Sequence, residues 1–181
     1  VWIPALSLTV AMILLLATFG VLRSSGMLLP ANLRAVVAEH LALHRPGAGN
    51  APVLGIADAG ERLRSTVTAF APFHHDPQVV GAFVQGRVAL VAEDSAAHFS
   101  FTDPDGRPLS LFVMPARCAQ GDWGLAVRHH GTMYSVATYR GHTIVSWRQK
   151  GAFCVMLCPS SDHELLEQAH RVQTGFDEAP S

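Results

Sequence analysis

The sequence has few charged side chains and almost no lysine. Only 15% of its 181 residues are charged, the formal net charge is −1, and Lys150 is the single lysine. No run of Lys or Arg interleaved with aromatic residues occurs, so the basic surface that a nucleic-acid-binding protein needs is missing. So few charges also leave a surface that is suited to partial burial against another protein.

The motifs of common enzyme classes are also missing. There is no Gly-x-Ser-x-Gly nucleophile motif and no Gly-x-x-x-x-Gly-Lys phosphate loop. Gly81 and Gly86, followed by Arg87, have the phosphate-loop spacing without the lysine, and a bulge in a strand explains them better. The carboxylates lie mostly in turns and at helix starts, as Asp103 and Asp162 do. The sequence therefore predicts no enzyme activity, no catalytic residue and no bound cofactor.

The three cysteines, Cys118, Cys154 and Cys158, are an odd number. Complete disulfide pairing within one chain is therefore excluded. One disulfide with one thiol, or three thiols, both remain open.

Two of these cysteines belong to a row of sulfur atoms. Cys154, Met156 and Cys158 alternate along a predicted strand and so share one face of it. Thiolate and thioether ligands together suit Cu(I), which makes these residues the metal-site candidates of the sequence. The intervening positions are also apolar: Phe153, Val155 and Leu157. A strand that is apolar on both faces favours burial between two layers over metal binding.

Histidine is frequent, with ten residues. Two adjacent pairs occur, His74-His75 and His129-His130, and His142 is near the second pair in the strand order. Neutral imidazole binds transition metals, so a surface site is conceivable. Adjacent side chains on a strand face opposite sides, however, so only one member of each pair could join a shared site. The sequence favours exposed turn histidines.

The longest apolar run comes first in the chain. Residues 1–22 carry no charge and, as a helix, would be about 33 Å long, enough to cross a hydrocarbon layer of about 30 Å. No basic residue precedes the run, and it is long for the core of a signal peptide. The sequence therefore predicts a retained single-pass anchor over residues 1–24, in contact with the lipid bilayer. Trp2 suits the interface between membrane and water.

The remaining residues predict a single α+β domain. Apolar spacing predicts two short helices, over Ala31–His44 and about Asp58–Phe70. A capping box at Ser161–Glu164 opens a C-terminal helix, which Gly175 is expected to end. The expected organisation is a juxtamembrane helix and loop over residues 25–50, the domain over 51–175 and a tail over 176–181.

Between the helices the apolar period is two, which predicts an antiparallel sheet of about six strands. Asp103-Pro104-Asp105-Gly106 has the composition of a tight turn between two strands. Later turns are expected at three dipeptides: His130-Gly131, Arg140-Gly141 and Lys150-Gly151. Turns that recur every 8 to 10 residues, roughly, are typical of a meander.

This order of elements resembles a known family. Gly81–Arg87, the strand Leu109–Val113, the strand Gly141–Trp147 and the last helix with its Leu165-Leu166 pair resemble the extracytoplasmic domain of bacterial transmembrane anti-sigma factors. The resemblance covers residues 31–172. It implies an anchor in the bacterial inner membrane with the C-terminal domain in the periplasm. The printed sequence begins at the apolar run, so the resemblance does not extend to the family's cytoplasmic sigma-binding domain.

The charges flanking the apolar run indicate the opposite orientation. Arg23 and Arg34 follow the run, and the positive-inside tendency would place the domain after them in the cytoplasm. Orientation therefore stays open between these two observations.

Three functions are compatible with these features. The first is a non-catalytic accessory subunit that docks its folded domain on other integral subunits of a larger bacterial membrane complex, photosynthetic or respiratory. Its interface residues are expected among Trp2, Trp123 and Trp147, because large aromatic side chains often anchor interfaces. The second is an anti-sigma-like regulator of transcription. The third is a metal- or redox-binding envelope protein that uses the sulfur row.

Overall fold

The computed structural model describes residues 29–44, 80–119, 121, 123–149 and 151–178. The predicted anchor with Trp2, the helix expected near Asp58–Phe70 and the last three residues lie outside these ranges. Within the ranges, no helix has both the length and the apolar character that a membrane crossing requires.

The described residues form an α+β fold with two helices and seven strands. One strand more is present than the approximate number that the sequence predicts. In chain order the elements are α1 (Ala31–Leu43), β1 (Ala82–Val91), β2 (Asp94–Thr102), β3 (Pro108–Pro115), a short 3-10 helix (Ala116–Cys118), β4 (Leu125–His129), β5 (Thr132–Tyr139), β6 (His142–Gln149), β7 (Ala152–Cys158) and α2 (Asp162–Glu178).

The strands make one sheet in the order β1-β2-β3-β7-β6-β5-β4, and every neighbouring pair is antiparallel. Two meanders, β1 to β3 and β4 to β7, therefore meet where β3 pairs with β7. Strand β1 contains a register shift between Phe83 and Gln85. This irregularity confirms the bulge that the sequence indicates after Gly81.

The sheet is covered on both faces. One core cluster contains Cys154, Met156 and Cys158 together with apolar residues of α2, and the other contains the alternate residues of β7 together with residues of α1. Because successive side chains of a strand point to opposite faces, α1 and α2 lie on opposite faces of the sheet. Every residue of β7 is buried, which confirms the prediction of a strand between two layers.

Two local signals in the sequence correspond to observed hydrogen bonds. The N–H of Gly106 donates to the carbonyl of Asp103 at 2.9 Å and closes the predicted turn. The N–H of Ser161 donates to Oε2 of Glu164 at 3.1 Å, which is half of the capping box. The helix α2 continues through Gly175 to Glu178. The expected helix end at Gly175 is therefore wrong, because an interior glycine weakens a helix by about 1 kcal/mol without ending it.

Two hairpins are closed by turns with positive φ at both central residues. His130 (φ 45°) and Gly131 (φ 84°) join β4 to β5, and Arg140 (φ 51°) and Gly141 (φ 77°) join β5 to β6. Positive φ at both positions defines the type I′ turn, whose twist matches that of the flanking strands. The hairpins occur at the dipeptides that the sequence predicts.

Candidate metal centre

The histidines of the described residues collect in two groups on opposite faces of the sheet. The group on the α2 face includes a carboxylate, and we name it the α2 cluster: His129, His130, His163, Glu167 and His170. The other group is the α1 cluster: His40, His44, His98 and His142. All eight described histidines belong to one cluster or the other. The expectation of exposed turn histidines is confirmed for His130, which lies in a turn and is exposed, but it does not extend to His40 and His98, which are buried.

The centre of the α2 cluster is a carboxylate between two imidazoles. Oε1 of Glu167 lies 3.0 Å from Nε2 of His129 and 3.7 Å from Nε2 of His130. One ligand atom from each of the three residues lies within 4.8 Å of the other two. In a tetrahedral zinc site with bonds of about 2.1 Å, neighbouring ligand atoms are roughly 3.4 Å apart. The three side chains are therefore close to a coordinating arrangement.

The type I′ turn is what brings the adjacent histidines to one carboxylate. His129 ends β4, whereas His130 occupies the first turn position with a left-handed φ of 45°. Strand alternation does not apply across such a turn, so both rings reach Glu167. The prediction that only one member of this pair could join a shared site is therefore wrong.

Helix α2 supplies the other half of the cluster from one face. His163, Glu167 and His170 are spaced i, i+4 and i+7, a spacing that places side chains one above the other on a helix. The ring of His170 stacks on that of His130 with centroids 4.4 Å apart. The ring of His163 is 6.5 Å from that of His129. The sequence alone shows this helical spacing, but a search that considers only adjacent histidines does not detect it.

The electrostatics of the α2 cluster favour a cation. Desolvation alone would raise the pKa of the Glu167 carboxyl, but His129 and His130 outweigh it and lower that pKa below its usual range. Burial, then the nearby His130 and His129, lower the pKa of His170. Nε2 of His129 is buried and, although close to Glu167, lacks the angular geometry of a hydrogen bond with any partner. An ionised carboxylate beside unsatisfied imidazole nitrogen is the donor set that divalent transition metals prefer.

The α1 cluster is built around a buried serine. Oγ of Ser110 lies 2.7 Å from Nδ1 of His40 and 2.9 Å from Nε2 of His98. Nε of Arg87 donates to Nδ1 of His98 at 3.4 Å, and the same guanidinium pairs with Glu39 at 2.6 Å. Burial, followed by the charge of Arg87, lowers the pKa of His98 well below its ordinary value. A chain of polar contacts therefore connects the ion pair of Glu39 and Arg87 to His40 on the buried side of α1.

The sulfur row lies where the sequence places it, but in the core. Cys154, Met156 and Cys158 share the α2 face of β7 and are at most 2% exposed. Burial raises the pKa of both thiols to about 12. Because the thiolate is the metal ligand, such thiols bind metal poorly at neutral pH. All three cysteines, including Cys118, are free thiols.

The two described tryptophans are also buried. Trp123 is 6% exposed and Trp147 is 2% exposed. Both line an open cavity of about 420 Å³, together with Arg148 and Phe153. The Trp147 indole donates to Oε1 of Gln149 at 3.1 Å, which satisfies its only polar atom. Their burial favours packing within this chain over a role as exposed anchors.

Comparison with known proteins adds no relative: no protein-family model, no curated protein and no solved structure matches this chain. The resemblance to anti-sigma extracytoplasmic domains stays a prediction.

Proposed function

We propose that this chain is a metal-binding protein of the bacterial envelope, whose folded domain holds a divalent transition-metal ion at His129, His130 and Glu167. The observation that supports the proposal is the approach of three ligand atoms, from a hairpin and a helix, to within 4.8 Å of one another. Metal binding is one of the three functions that the sequence leaves open. The ligands proposed here belong to the α2 cluster, however, and not to the sulfur row. The uncharged residues 1–22 would tether the domain to the inner membrane, with the domain in the periplasm.

The donor set indicates the class of metal. Two imidazoles and one carboxylate suit Zn²⁺ and the ions that imidazole favours, whereas Ca²⁺ and Mg²⁺ need mostly oxygen ligands. The His130 side chain is 55% exposed and the Glu167 side chain is 34% exposed. Ions can therefore enter from solvent, and coordination positions stay open to water.

Zinc titration of the full chain in detergent tests the proposal. Glu167→Gln keeps the size of the side chain but removes its charge, so we expect zinc affinity at this site to fall by at least about 10-fold. Glu93→Gln makes the same change at an exposed carboxylate between β1 and β2, outside the α2 cluster, so it is the matched control and should retain binding. Equal zinc affinity in the wild type and the Glu167→Gln variant would contradict the proposal.

A second candidate function is the docking subunit, and one surface favours it. Strand β1 is an edge of the described sheet, and three of its apolar side chains are exposed: Val84 at 51%, Val88 at 44% and Leu90 at 72%. Edge strands carry free backbone groups that can pair with a strand of another protein. Apolar side chains beside such an edge would add buried area to that contact.

Purification from native membranes in a gentle detergent tests docking. Stoichiometric recovery with a large integral complex, lost in a Leu90→Glu variant, would support it. Met133→Glu changes an exposed apolar residue on a different strand and is the matched control. Recovery of the wild type without any integral partner would count against docking.

A further inference from the structure

We propose that the cavity beside Trp123 binds a small aromatic carboxylate, and that Arg148 pairs with the carboxylate group of this ligand. The cavity has a volume of about 420 Å³, within the range of about 300–1,000 Å³ that is usual for ligand pockets. Its lining combines aromatic and aliphatic side chains with hydroxyls and a guanidinium. The proposal does not depend on the metal site at the α2 cluster, because the cavity lies on the opposite face of the sheet.

The register of the strands places the floor of this cavity on the α1 face. Ser135 pairs with Ser146 across β5 and β6, and Arg148 pairs with Phe153 across β6 and β7. Ser146 and Arg148 are two residues apart on one strand, so all four side chains point to the same face. Phe153 packs in the core cluster that contains residues of α1, which identifies this face. No residue of α1 lines the cavity, so the helix leaves this part of the face uncovered.

Two polar side chains lie in the floor of the cavity at positions that elsewhere belong to the core. The next pair on this face of β5 and β6 is Ala137 with Ile144, and both residues are part of the apolar cluster. Ser146 is only 3% exposed, and its neighbour on β7 is the buried Val155. Hydroxyl groups at Ser135 and Ser146 can donate hydrogen bonds to a polar group in the cavity, which apolar side chains at these positions would not do.

The guanidinium of Arg148 supplies the positive charge. Its Nη2 donates to the carbonyl oxygen of Ala119 at 3.1 Å, and Ala119 also lines the cavity. A guanidinium has five N–H donors, so this hydrogen bond orients the group and leaves other donors for a ligand. Within the described ranges, no carboxylate forms an ion pair with Arg148. A guanidinium can bind both oxygens of a carboxylate, so one singly charged carboxylate matches this arginine in charge and in geometry.

The apolar part of the lining favours a flat ring as the body of the ligand. It includes the side chains of Trp123, Phe153 and Met133. Trp123 precedes β4 and packs in the same core cluster as Phe153. Met133 is two residues from Ser135 on β5, so it lies on the same face of the sheet. Aromatic rings and thioether sulfur both make favourable contacts with an aromatic ring, so a ring that carries a carboxylate fits both parts of the lining.

Titration of the full chain in detergent with naphthoate, followed by NMR of the tryptophan indole N–H groups, tests this site. We expect the Trp123 signal to shift as naphthoate binds. Arg148→Gln removes the positive charge, so affinity should fall by at least about 10-fold, as the loss of a hydrogen bond to a charged group implies. Arg171→Gln makes the same change at an exposed arginine of α2, on the opposite face, so it is the matched control and should bind as the wild type does.

Two further comparisons separate the charge of the ligand from its ring. Naphthamide has the same rings without the charge, so it should bind the wild type more weakly than naphthoate and be unaffected by Arg148→Gln. Ser135→Leu fills part of the cavity and should abolish binding of both compounds, with thermal denaturation confirming that the variant is folded. Equal naphthoate affinity in the wild type and Arg148→Gln, or an unchanged Trp123 signal in the wild type, would overturn the inference. Tighter binding of naphthyl phosphate than of naphthoate would overturn the assignment to a carboxylate.

Discussion

The two histidine clusters contain the same residue type in opposite environments. In the α2 cluster the rings surround an ionised carboxylate at the protein surface, and His130 is more than half exposed. In the α1 cluster the rings of His40 and His98 are each 1% exposed, and burial keeps them neutral. At the surface, Glu167 can attract a cation, whereas burial in the α1 cluster disfavours positive charge on the rings. The α1 cluster should therefore be the one on which the stability of the fold depends.

The largest expected effect comes from the serine at the centre of the α1 cluster. Ser110→Ala removes the partner of His40 Nδ1 and His98 Nε2 at once. Each buried atom left unpaired costs about 1–3 kcal/mol, so for two such atoms we expect a loss of about 2–6 kcal/mol in the free energy of unfolding. Urea denaturation at pH 7.5 measures it.

Ser100→Ala is the matched control, because Ser100 pairs with Ser110 across β2 and β3 and is also buried. The Ser100 hydroxyl has no hydrogen-bond partner within the described residues. We expect its removal to be neutral or slightly stabilising. Equal losses in the two variants would show that the serine–histidine contacts contribute little.

Acid should destabilise the metal-free protein through His98. Its pKa is about 6.5 in the unfolded chain and well below that in the folded protein. Stability is therefore complete above pH 6.5 and falls as the pH drops below 6.5, because only the unfolded chain then gains the proton. One such group contributes about 1.4 kcal/mol per pH unit, or about 2 kcal/mol between pH 6.5 and 5.

Denaturation at a series of pH values from 7.5 to 5 checks this slope. The groups that face His98 are Arg87, Ser110 and His40, with His44 adding to the field. A His98→Gln variant should be less stable at pH 7.5 but should depend less on pH. A wild-type free energy of unfolding that is the same at pH 7.5 and pH 5 would refute the assignment.

The smallest effect is expected at the α2 cluster. In metal-free protein, Glu167→Gln should change the free energy of unfolding by less than about 1 kcal/mol, since exposed ion pairs contribute little. With saturating zinc the wild type should become more stable than Glu167→Gln, because zinc at 100 times its dissociation constant stabilises the folded wild type by about 2.7 kcal/mol. Thermal denaturation with and without zinc measures both values. A large loss of stability in the metal-free Glu167→Gln variant would mean that Glu167 supports the fold itself.

Much of the fold follows from local signals in the sequence. The turns at His130-Gly131 and Arg140-Gly141 and the alternation along Ala152–Cys158 depend on neighbours in the chain, so reasoning about the sequence recovers them. The capping box at Ser161 belongs to the same kind of signal. These features predict where the strands lie in the chain and which faces are buried. They do not predict the order of the strands in the sheet.

The clusters depend on contacts that local signals do not encode. His129 meets Glu167 only because β4 and β5 lie on the far side of β6 from β7, which places their turn beside α2. His98 meets His40 through a serine on a third element, β3. The sequence shows the helical spacings of His40 with His44 and of His163 with Glu167. It does not show which strand residues contact these side chains.

X-ray absorption of the zinc-loaded full chain tests the central claim most directly, because it identifies the atoms that bind the ion. The account predicts nitrogen and oxygen ligands at about 2.0–2.2 Å, with the outer scattering of imidazole. Sulfur at about 2.3 Å would contradict it and return the metal to Cys154 and Cys158.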